Sequence, residues 1–288
     1  MPLRTGRPWL ISPQAALELN TISSFAYIEK AVQELQLAGL DISRSADLDA
    51  GSDSIIWAGL EGADLLNTNP GLNPRPANLK ELRWMVKQLR AMQFSYVGLT
   101  WAAANPYAGS SNQAHIGLSV AGGQLVALLH ANELLVDLSH ASDQTVIDYY
   151  QLTGGRRPLF FSHSSIRAVC SHPRNVSDAT LDLIQKSDGL IGLNFHAPYL
   201  SCKAQAGSAD LIRHIQYVKQ KIGMRYLALG SDYDGLITEP HDLKQPEQLR
   251  SFALALLQIG FSRAEIESLY YRNAIRFWKR NVTVSTTR

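Results

Sequence analysis

The chain has 288 residues, of which 45% are hydrophobic and 18% are charged, and its formal net charge is +2. This length suffices for one large core, and α/β barrels of this size often form a single domain. Lys and Arg are spread along the chain, so the charge does not predict a nucleic-acid partner. We find no apolar run of about 18 residues that would predict a membrane span and no signal peptide, and we therefore expect a cytoplasmic protein.

Short apolar segments, rich in β-branched and aromatic residues, alternate along the chain with longer amphipathic segments. The near-continuous apolar character of the short segments predicts strands that are buried on both faces, as in a parallel sheet. The predicted strands are Trp9–Ser12, Ile55–Glu61, Tyr96–Thr100, Leu134–Ser139, Leu159–Ser162, Leu190–Phe195 and Tyr226–Gly230. The predicted helices are Phe25–Leu37, Leu79–Met92, Ala121–Ala131, Gln144–Gln151, Ala179–Lys186, Ala209–Ile222, Pro246–Ile259 and Ser262–Lys279.

The repeating strand–helix pattern predicts an α/β fold, and we expect a TIM-like (β/α) barrel. No change of composition and no Ser/Gly-rich linker divides the chain, which predicts a single domain over residues 1–288. A closed barrel of this class needs eight strands, one more than the pattern predicts. Either one strand escapes the pattern or the chain begins after the first strand, and the sequence alone leaves both open.

Cys170 and Cys202 are the only cysteines of the sequence. Two cysteines do not make a disulfide framework, and cytosolic proteins keep their thiols reduced. We therefore expect two buried free thiols, with a single disulfide as the alternative.

Titratable side chains stand at the ends of four predicted strands, where a TIM-like barrel carries its active site. They are Glu61, His140, His163 and Asp232. Any one of them alone also fits a turn or a hydrogen-bonded polar position. Two imidazoles and a carboxylate suit zinc or a similar divalent ion. Their placement at one rim therefore predicts a metal site.

Several motifs around these residues occur in one characteristic order. They are LLVDLSHAS at 134–142, FFSHSSIRAVC at 160–170, PRNV at 173–176 and GSDYDG at 230–235. With these motifs the chain resembles the membrane (renal) dipeptidase family of zinc dipeptidases, over roughly residues 55–277. The resemblance implies a (β/α) barrel with two zinc ions. It also implies hydrolysis of dipeptides or related small amides through a metal-activated water.

The resemblance also implies a role for individual residues. Glu61 would be a metal-bridging carboxylate, and His140 and His163 would be ligands of one zinc ion. Arg174 would bind the carboxylate end of a dipeptide, which suits a bidentate guanidinium. Asp232 would hold the substrate's amino group or assist proton transfer. The two cysteines match a pair that is bridged in secreted members of the family.

The chain departs from the family pattern at two places. Members carry a His-x-Asp metal motif at the end of the first strand, whereas the first histidine of this sequence is His115. Members usually have a histidine where this chain has Trp101, and an indole offers one N–H donor and no base. We therefore expect one zinc ion on the three retained ligands, with Trp101 in the substrate site. We predict that His196 has a packing role at the end of its strand and that His172 lines its loop.

Three hypotheses follow. Retention of the metal ligands together with Arg174 and Asp232 favours an active metallodipeptidase. Trp101 and the missing His-x-Asp motif favour the alternative, a catalytically impaired homologue that binds small peptide-like ligands. A third possibility is that the native protein has a further strand upstream; without it, a partner chain would cover the open sheet edges, which predicts a homo-oligomer.

Overall fold

The computed structural model describes residues 57–67 and 75–282 of the protein. Within these residues six strands form one sheet, all neighbours run parallel, and the strand order follows the chain from β1 to β6. The strands are β1 (Gly59–Leu60), β2 (Tyr96–Gly98), β3 (Leu135–Asp137), β4 (Phe160–Ser164), β5 (Leu190–Leu193) and β6 (Leu227–Leu229). Parallel neighbours in sequence order bring the carboxyl ends of all six strands to one edge of the sheet.

Helices connect the strands and follow the last one. They are α1 (Leu79–Ala91), α2 (Val120–Ala131), α3 (Asp143–Leu152), α4 (Asp178–Lys186), α5 (Ala197–Ser201), α6 (Ser208–Lys221), α7 (Leu249–Gln258), α8 (Arg263–Glu267) and α9 (Asn273–Asn281). Side-chain caps begin several of them: Asn78 starts α1 with a capping box, and Ser142 and Ser177 start α3 and α4. These caps accept hydrogen bonds from backbone N–H groups that have no partner within the helix.

The strand predictions from Ile55 onward are confirmed, since each predicted segment overlaps one of the six strands. The predicted helix Ser262–Lys279 is divided into α8 and α9 by a π-helical turn, Ser268–Arg272. The short helix α5 was not predicted. The strand Trp9–Ser12 and the helix Phe25–Leu37 fall outside the described residues.

The inner face of the sheet changes from apolar to polar along the strands. Near the amino-terminal ends of the strands, the inner face carries an apolar cluster that we call the floor cluster. Its members are Leu135, Phe160, Leu190, Ala228, Phe277, Trp278 and Val282. Because side chains alternate along a strand, Asp137 and Ser162 lie on the same face as Leu135 and Phe160, two residues further on. The polar layer therefore rests on an apolar floor and faces the carboxyl edge.

Cys170 and Cys202 form a disulfide, so the expectation of two free thiols is wrong. Cys170 lies in the loop after β4 and Cys202 directly follows α5. These two segments pack against each other and bring the Cα atoms to 5.3 Å, within the range that a disulfide spans. In the part of the chain that the structure describes, no helix is long and apolar enough to cross a membrane.

Candidate metal centre and its pocket

Three of the predicted metal ligands meet at the carboxyl edge of the sheet. Glu61 follows β1, His140 follows β3, and His163 lies within β4. Glu61 Oε1 lies 2.9 Å from His140 Nε2 and 3.1 Å from His163 Nε2, and the two Nε2 atoms are 3.0 Å apart. Three donor atoms from three separate strands thus converge on one point. Asp232 lies in the same pocket but is not part of this group.

His140 adopts a backbone conformation that non-glycine residues rarely use, with φ at 66°. A left-handed residue directly after a strand turns the chain sharply, and such outliers persist where the surrounding structure holds them in place. The carbonyl of His140 accepts a 2.7 Å hydrogen bond from Ser111 N–H, which holds the turn. The turn places the imidazole beside Glu61.

The protonation states of the group suit metal binding. Burial and the positive charge of Arg174 lower the pKa of His140 to about 3, so the imidazole is neutral at pH 7. Burial alone would raise the pKa of Glu61, but the neighbouring His140 and His163 side chains lower it well below its usual range. A neutral imidazole and an ionised carboxylate are the forms that bind a cation.

A chain of hydrogen bonds behind His163 sets the direction of its lone pair. The Ser162 hydroxyl donates to the Asp137 carboxylate, which as an ionised group can only accept. Ser162 Oγ therefore accepts from His163 Nδ1, at 2.7 Å, and the neutral ring carries its proton on Nδ1. His163 Nε2 then presents a lone pair to the carboxylate oxygen of Glu61. Backbone N–H groups of Ser139 and Ser162 fix the other oxygen of Asp137, at 2.9 and 3.0 Å.

This arrangement fits a divalent cation. A lone pair on His163 and a carboxylate oxygen on Glu61 face each other at 3.1 Å, and two acceptors at this distance lack a positive charge between them. Ligand atoms that bind zinc at about 2.0–2.2 Å lie within about 4 Å of one another. The three donor atoms meet that condition, and two nitrogens with one oxygen form a donor set that zinc accepts.

Arg174 lies beneath the pocket with its guanidinium held by two oxygen atoms. One terminal nitrogen donates to Ser164 Oγ at 2.7 Å, and the other donates to the carbonyl of His163 at 2.9 Å. The side chain is 5% exposed. Its buried Nε has no hydrogen-bond partner among the described residues. A buried guanidinium with N–H donors still unused can bind an anion, to which it donates hydrogen bonds.

Asp232 is oriented by its neighbours on the opposite side of the pocket. Its Oδ2 accepts a 3.0 Å hydrogen bond from Asn194, while burial raises the pKa of the carboxyl group. Asp232 has φ at 62°, and Gly235 N–H donates to its carbonyl at 3.0 Å. A Cβ on Gly235 would lie 2.2 Å from Asp232 Oδ1, so only glycine fits this turn.

A cavity of about 200 Å³ opens above the candidate metal group, which consists of Glu61, His140 and His163. Trp101, predicted for the substrate site, lies on its wall, as do Arg174 and Asp232. His172 and His196 also line it, whereas the sequence predicted that His172 lines its loop and that His196 serves packing. Tyr199 completes this wall and had not been singled out.

The wall that carries Tyr199 is fastened to the loop that carries Arg174 by three side-chain contacts. The disulfide joins Cys170 to Cys202. Asn175 donates to the carbonyls of Cys170 and Tyr199, at 2.8 Å each. His214, fully buried in α6, accepts from Ile166 N–H at 3.0 Å and bonds the carbonyl of Leu200 at 2.9 Å. Two segments far apart in sequence thus form one rigid wall.

A parallel α/β sheet with a His, His, Glu group that could hold a metal ion at its carboxyl edge fits the α/β-barrel class of metal-dependent proteins. The family model of the membrane dipeptidases, peptidase family M19, matches residues 18–288, and the chain belongs to this family. This agrees with the resemblance found in the sequence motifs.

Curated relatives carry dipeptidase names. The chain is 37% identical over 186 residues to dipeptidase aclJ of Aspergillus oryzae, covering 63% of this chain and 44% of that protein. It is 26% identical over 248 residues to dipeptidase 3 of Rattus norvegicus, covering 83% of this chain and 48% of that protein. The chain thus spans less than half the length of these two relatives.

Solved structures share the fold, a TIM-like α/β barrel. One is a metallo peptidase from Rhodobacter sphaeroides with a phosphinate mimic of the dipeptide L-Ala-D-Ala, with a TM-score of 0.74 and 23% identity, covering 90% of this chain and 73% of the other. Another is dipeptidase AC, with a TM-score of 0.79 and 22% identity, covering 92% of this chain and 80% of the other. The barrel prediction is therefore confirmed.

Proposed function

We propose that the protein is a metal-dependent dipeptidase that hydrolyses dipeptides or related small amides. The observation that carries this proposal is the meeting of the Glu61, His140 and His163 donor atoms at a cavity that the buried Arg174 side chain also lines. A metal group next to an anion site matches a short peptide, which presents a scissile amide a few atoms from its terminal carboxylate. Membership of the M19 family supports the same reaction.

Glu61, His140 and His163 would hold the metal, and we propose zinc as the ion. When bound, zinc acts as a Lewis acid that polarises a carbonyl and lowers the pKa of water. Asp137 and Ser162 keep the lone pair of His163 directed at the site. Such supporting hydrogen bonds orient a ligand and raise its basicity.

The chain's other pocket residues would position the substrate. The remaining terminal N–H groups of Arg174 would donate to the terminal carboxylate of the dipeptide. Asp232 would bind the amino end, and because burial raises its pKa it would accept a proton more readily than an exposed carboxylate does. Trp101 would cover the substrate with its apolar ring.

One observation favours a second candidate, a homologue that binds small peptide-like ligands without cleaving them. Trp101 occupies a place on the cavity wall where the sequence resemblance implied a histidine. An indole cannot act as a base and offers one donor. Tight ligand binding without turnover would separate this candidate from the dipeptidase.

The test is hydrolysis of a dipeptide panel by the full chain after chelation and after zinc is restored. We expect zinc-dependent cleavage that His163→Ala abolishes, because the substitution removes one of the three ligands. His115→Ala, at an exposed position outside the cavity, is the matched control and should keep activity. A folded, zinc-loaded protein that binds dipeptides without cleaving any of them would establish the binding-protein candidate instead.

Two further predictions stay proposals. A homo-oligomer was expected from open sheet edges, and light scattering of the purified chain would test it. A cytoplasmic location was expected as well, but the Cys170–Cys202 disulfide weighs against it because cytosolic thiols are kept reduced. Thiol alkylation of the protein in intact cells, followed by mass analysis, would show whether the bond forms there.

A further inference from the structure

Two histidines that the dipeptidase proposal does not use flank the ring of Tyr199 on the cavity wall. The ring of His172 lies 4.5 Å from that of Tyr199, at 41° between the planes. The ring of His196 also lies 4.5 Å away, at 75°. Arg174 approaches the same Tyr199 ring, with its guanidinium carbon 6.0 Å from the ring centre. All four residues line the cavity above the metal group.

The backbone determines which nitrogen of each histidine carries the proton. Arg174 N–H donates to His172 Nδ1 at 3.1 Å, and Thr238 N–H donates to His196 Nδ1 at 2.9 Å. A nitrogen that accepts a hydrogen bond has no proton of its own, so each neutral ring carries its proton on Nε2. Within residues 57–67 and 75–282, neither Nε2 has a hydrogen-bond partner.

The surroundings keep both rings neutral. Burial, together with the charge of Arg174, lowers the pKa of His172. Burial lowers the pKa of His196 as well, with further contributions from His172 and Arg174 and an opposing one from Glu239. The cavity wall therefore presents two neutral N–H donors next to a buried cation.

We propose that His172 and His196 form a specificity subsite that selects dipeptides whose C-terminal residue carries a side-chain oxygen acceptor, as aspartate and asparagine do. This inference rests on the proposed dipeptidase function and on Arg174 as the site of the terminal carboxylate. His172 accepts a hydrogen bond from the backbone of Arg174 itself, and the rings of His172 and His196 both lie 4.5 Å from the Tyr199 ring. A residue whose carboxylate binds Arg174 thus has its side chain beside the two donors.

The selectivity comes from the cost of leaving these donors without a partner. An apolar C-terminal side chain would displace water from both Nε2–H groups and provide no acceptor in return. Sites built to hydrogen-bond a substrate group reject analogues that lack the group more strongly than apolar pockets reject an added methylene. Aspartate, asparagine and leucine have similar shapes, so a comparison of the three isolates the acceptor.

The charge of the preferred side chain is decided by two opposing neighbours. Arg174 favours a carboxylate, whereas Glu239, which acts on His196, opposes one. Aspartate and asparagine are therefore separate arms of the test. A preference for either of them over leucine supports the subsite, and the order between them reports which neighbour prevails.

The experiment measures kcat/KM of the zinc-loaded chain for Ala-Asp, Ala-Asn and Ala-Leu. Calorimetry with the phosphinate analogues of the same three dipeptides gives binding constants that do not depend on turnover. Each donor to a neutral or charged acceptor should contribute roughly a three- to tenfold preference over leucine. The ratio of the constants for the acceptor-bearing and leucine compounds is the quantity to compare.

Substitutions at the two histidines separate the donor from the structural role of the ring. In His172→Asn and His196→Asn the amide oxygen can replace Nδ1 as acceptor of the backbone N–H, while the distal donor is lost. In His172→Gln and His196→Gln the side-chain amide can instead reach the position of Nε2–H. His115→Asn is the control at an exposed position.

We expect the Asn variants to lose the preference and the Gln variants to retain part of it. Equal constants for all three compounds in the unmodified chain would overturn the subsite alone, since turnover would still support a dipeptidase. An unchanged preference in both Asn variants would overturn it as well. Absence of both turnover and analogue binding would overturn the proposed function and the subsite with it.

Discussion

The positions of single protons determine which atom of His163 faces the candidate metal group with a lone pair. The one hydroxyl proton of Ser162 goes to Asp137, and this leaves Ser162 Oγ to accept the Nδ1 proton of His163. Were Ser162 absent, His163 would be free to carry its proton on Nε2, where it would point at Glu61 and compete with a cation. If the group holds a metal as proposed, the proton on Ser162, the residue next to His163, therefore affects the affinity of the site.

Ser162→Ala should therefore weaken zinc binding, by about 10- to 100-fold, as the loss of such supporting partners typically does. Competition with a chromophoric chelator measures the change. Asp137 keeps its backbone hydrogen bonds in this variant, so the strand should remain in place.

Ser177→Ala is the matched control for the Ser162 prediction. It removes the N-cap of α4, away from the metal group, and should cost about 1 kcal/mol of stability without changing zinc affinity. Equal zinc affinities for Ser162→Ala and the unmodified chain would show that Ser162 does not set the tautomer of His163.

Among the elements, those with strong patterns could be predicted from the sequence. Apolar runs with β-branched residues identify strands, because strands that are buried on both faces need apolar side chains on both. The rule that the active site of a barrel lies at the carboxyl ends of its strands predicted that Glu61, His140 and His163 are close together. The short helix α5 has too few residues to show a period. His172 and His196 lie on loop and helix-start positions whose place in the cavity depends on tertiary packing.

The disulfide shows the same limit at the level of elements. Spacing along the chain does not reveal that the loop after β4 packs against α5. The expected cytoplasmic location predicted free thiols, because thiols are kept reduced in the cytosol. Asp137 and Ser162, in contrast, offered a usable signal. Polar residues inside buried strands need partners, and each of these two residues is the partner of the other.

His214 links α6 to both segments of the cavity wall, and it makes stability depend on pH. Burial lowers its pKa from 6.5 to about 4 in the folded protein. As the pH falls from 6.5 towards 4, the unfolded chain takes up a proton at this residue and the folded chain does not. The free energy of unfolding should therefore decrease over this window, by up to about 3 kcal/mol from this residue.

Urea unfolding of the metal-free protein between pH 7 and pH 4 measures this decrease. His214→Gln should be less stable at pH 7, because it disturbs two buried hydrogen bonds, but its stability should depend less on pH. His241→Gln, whose side chain is 71% exposed, should keep the pH dependence of the unmodified chain. Identical pH dependence in all three proteins would contradict the prediction.

Over the whole molecule, the floor cluster connects the middle of the chain to its C-terminal helix. Strands β3 to β6 each contribute one side chain to the cluster, and α9 contributes Phe277 and Trp278. The Trp278 ring lies 5.1 Å from Trp57 and 5.6 Å from Phe160. The polar metal group therefore stands on a layer of packed rings.

Trp278→Ala should destabilise the protein by about 3–5 kcal/mol, because it opens a cavity in this layer. The midpoint of urea unfolding measures the loss. Leu254→Ala, on the exposed face of α7, should change the free energy of unfolding by less than about 1 kcal/mol. A small effect at both positions would show that α9 does not close the interior.

The position of α9 in the floor also bears on how the protein is made. A ribosome releases the six described strands before α9, so the growing chain carries Leu135, Phe160, Leu190 and Ala228 without the two rings that cover them. Until residues 273–281 leave the exit tunnel, this apolar interior faces water or a chaperone. The barrel can thus reach its native packing only after synthesis of that helix.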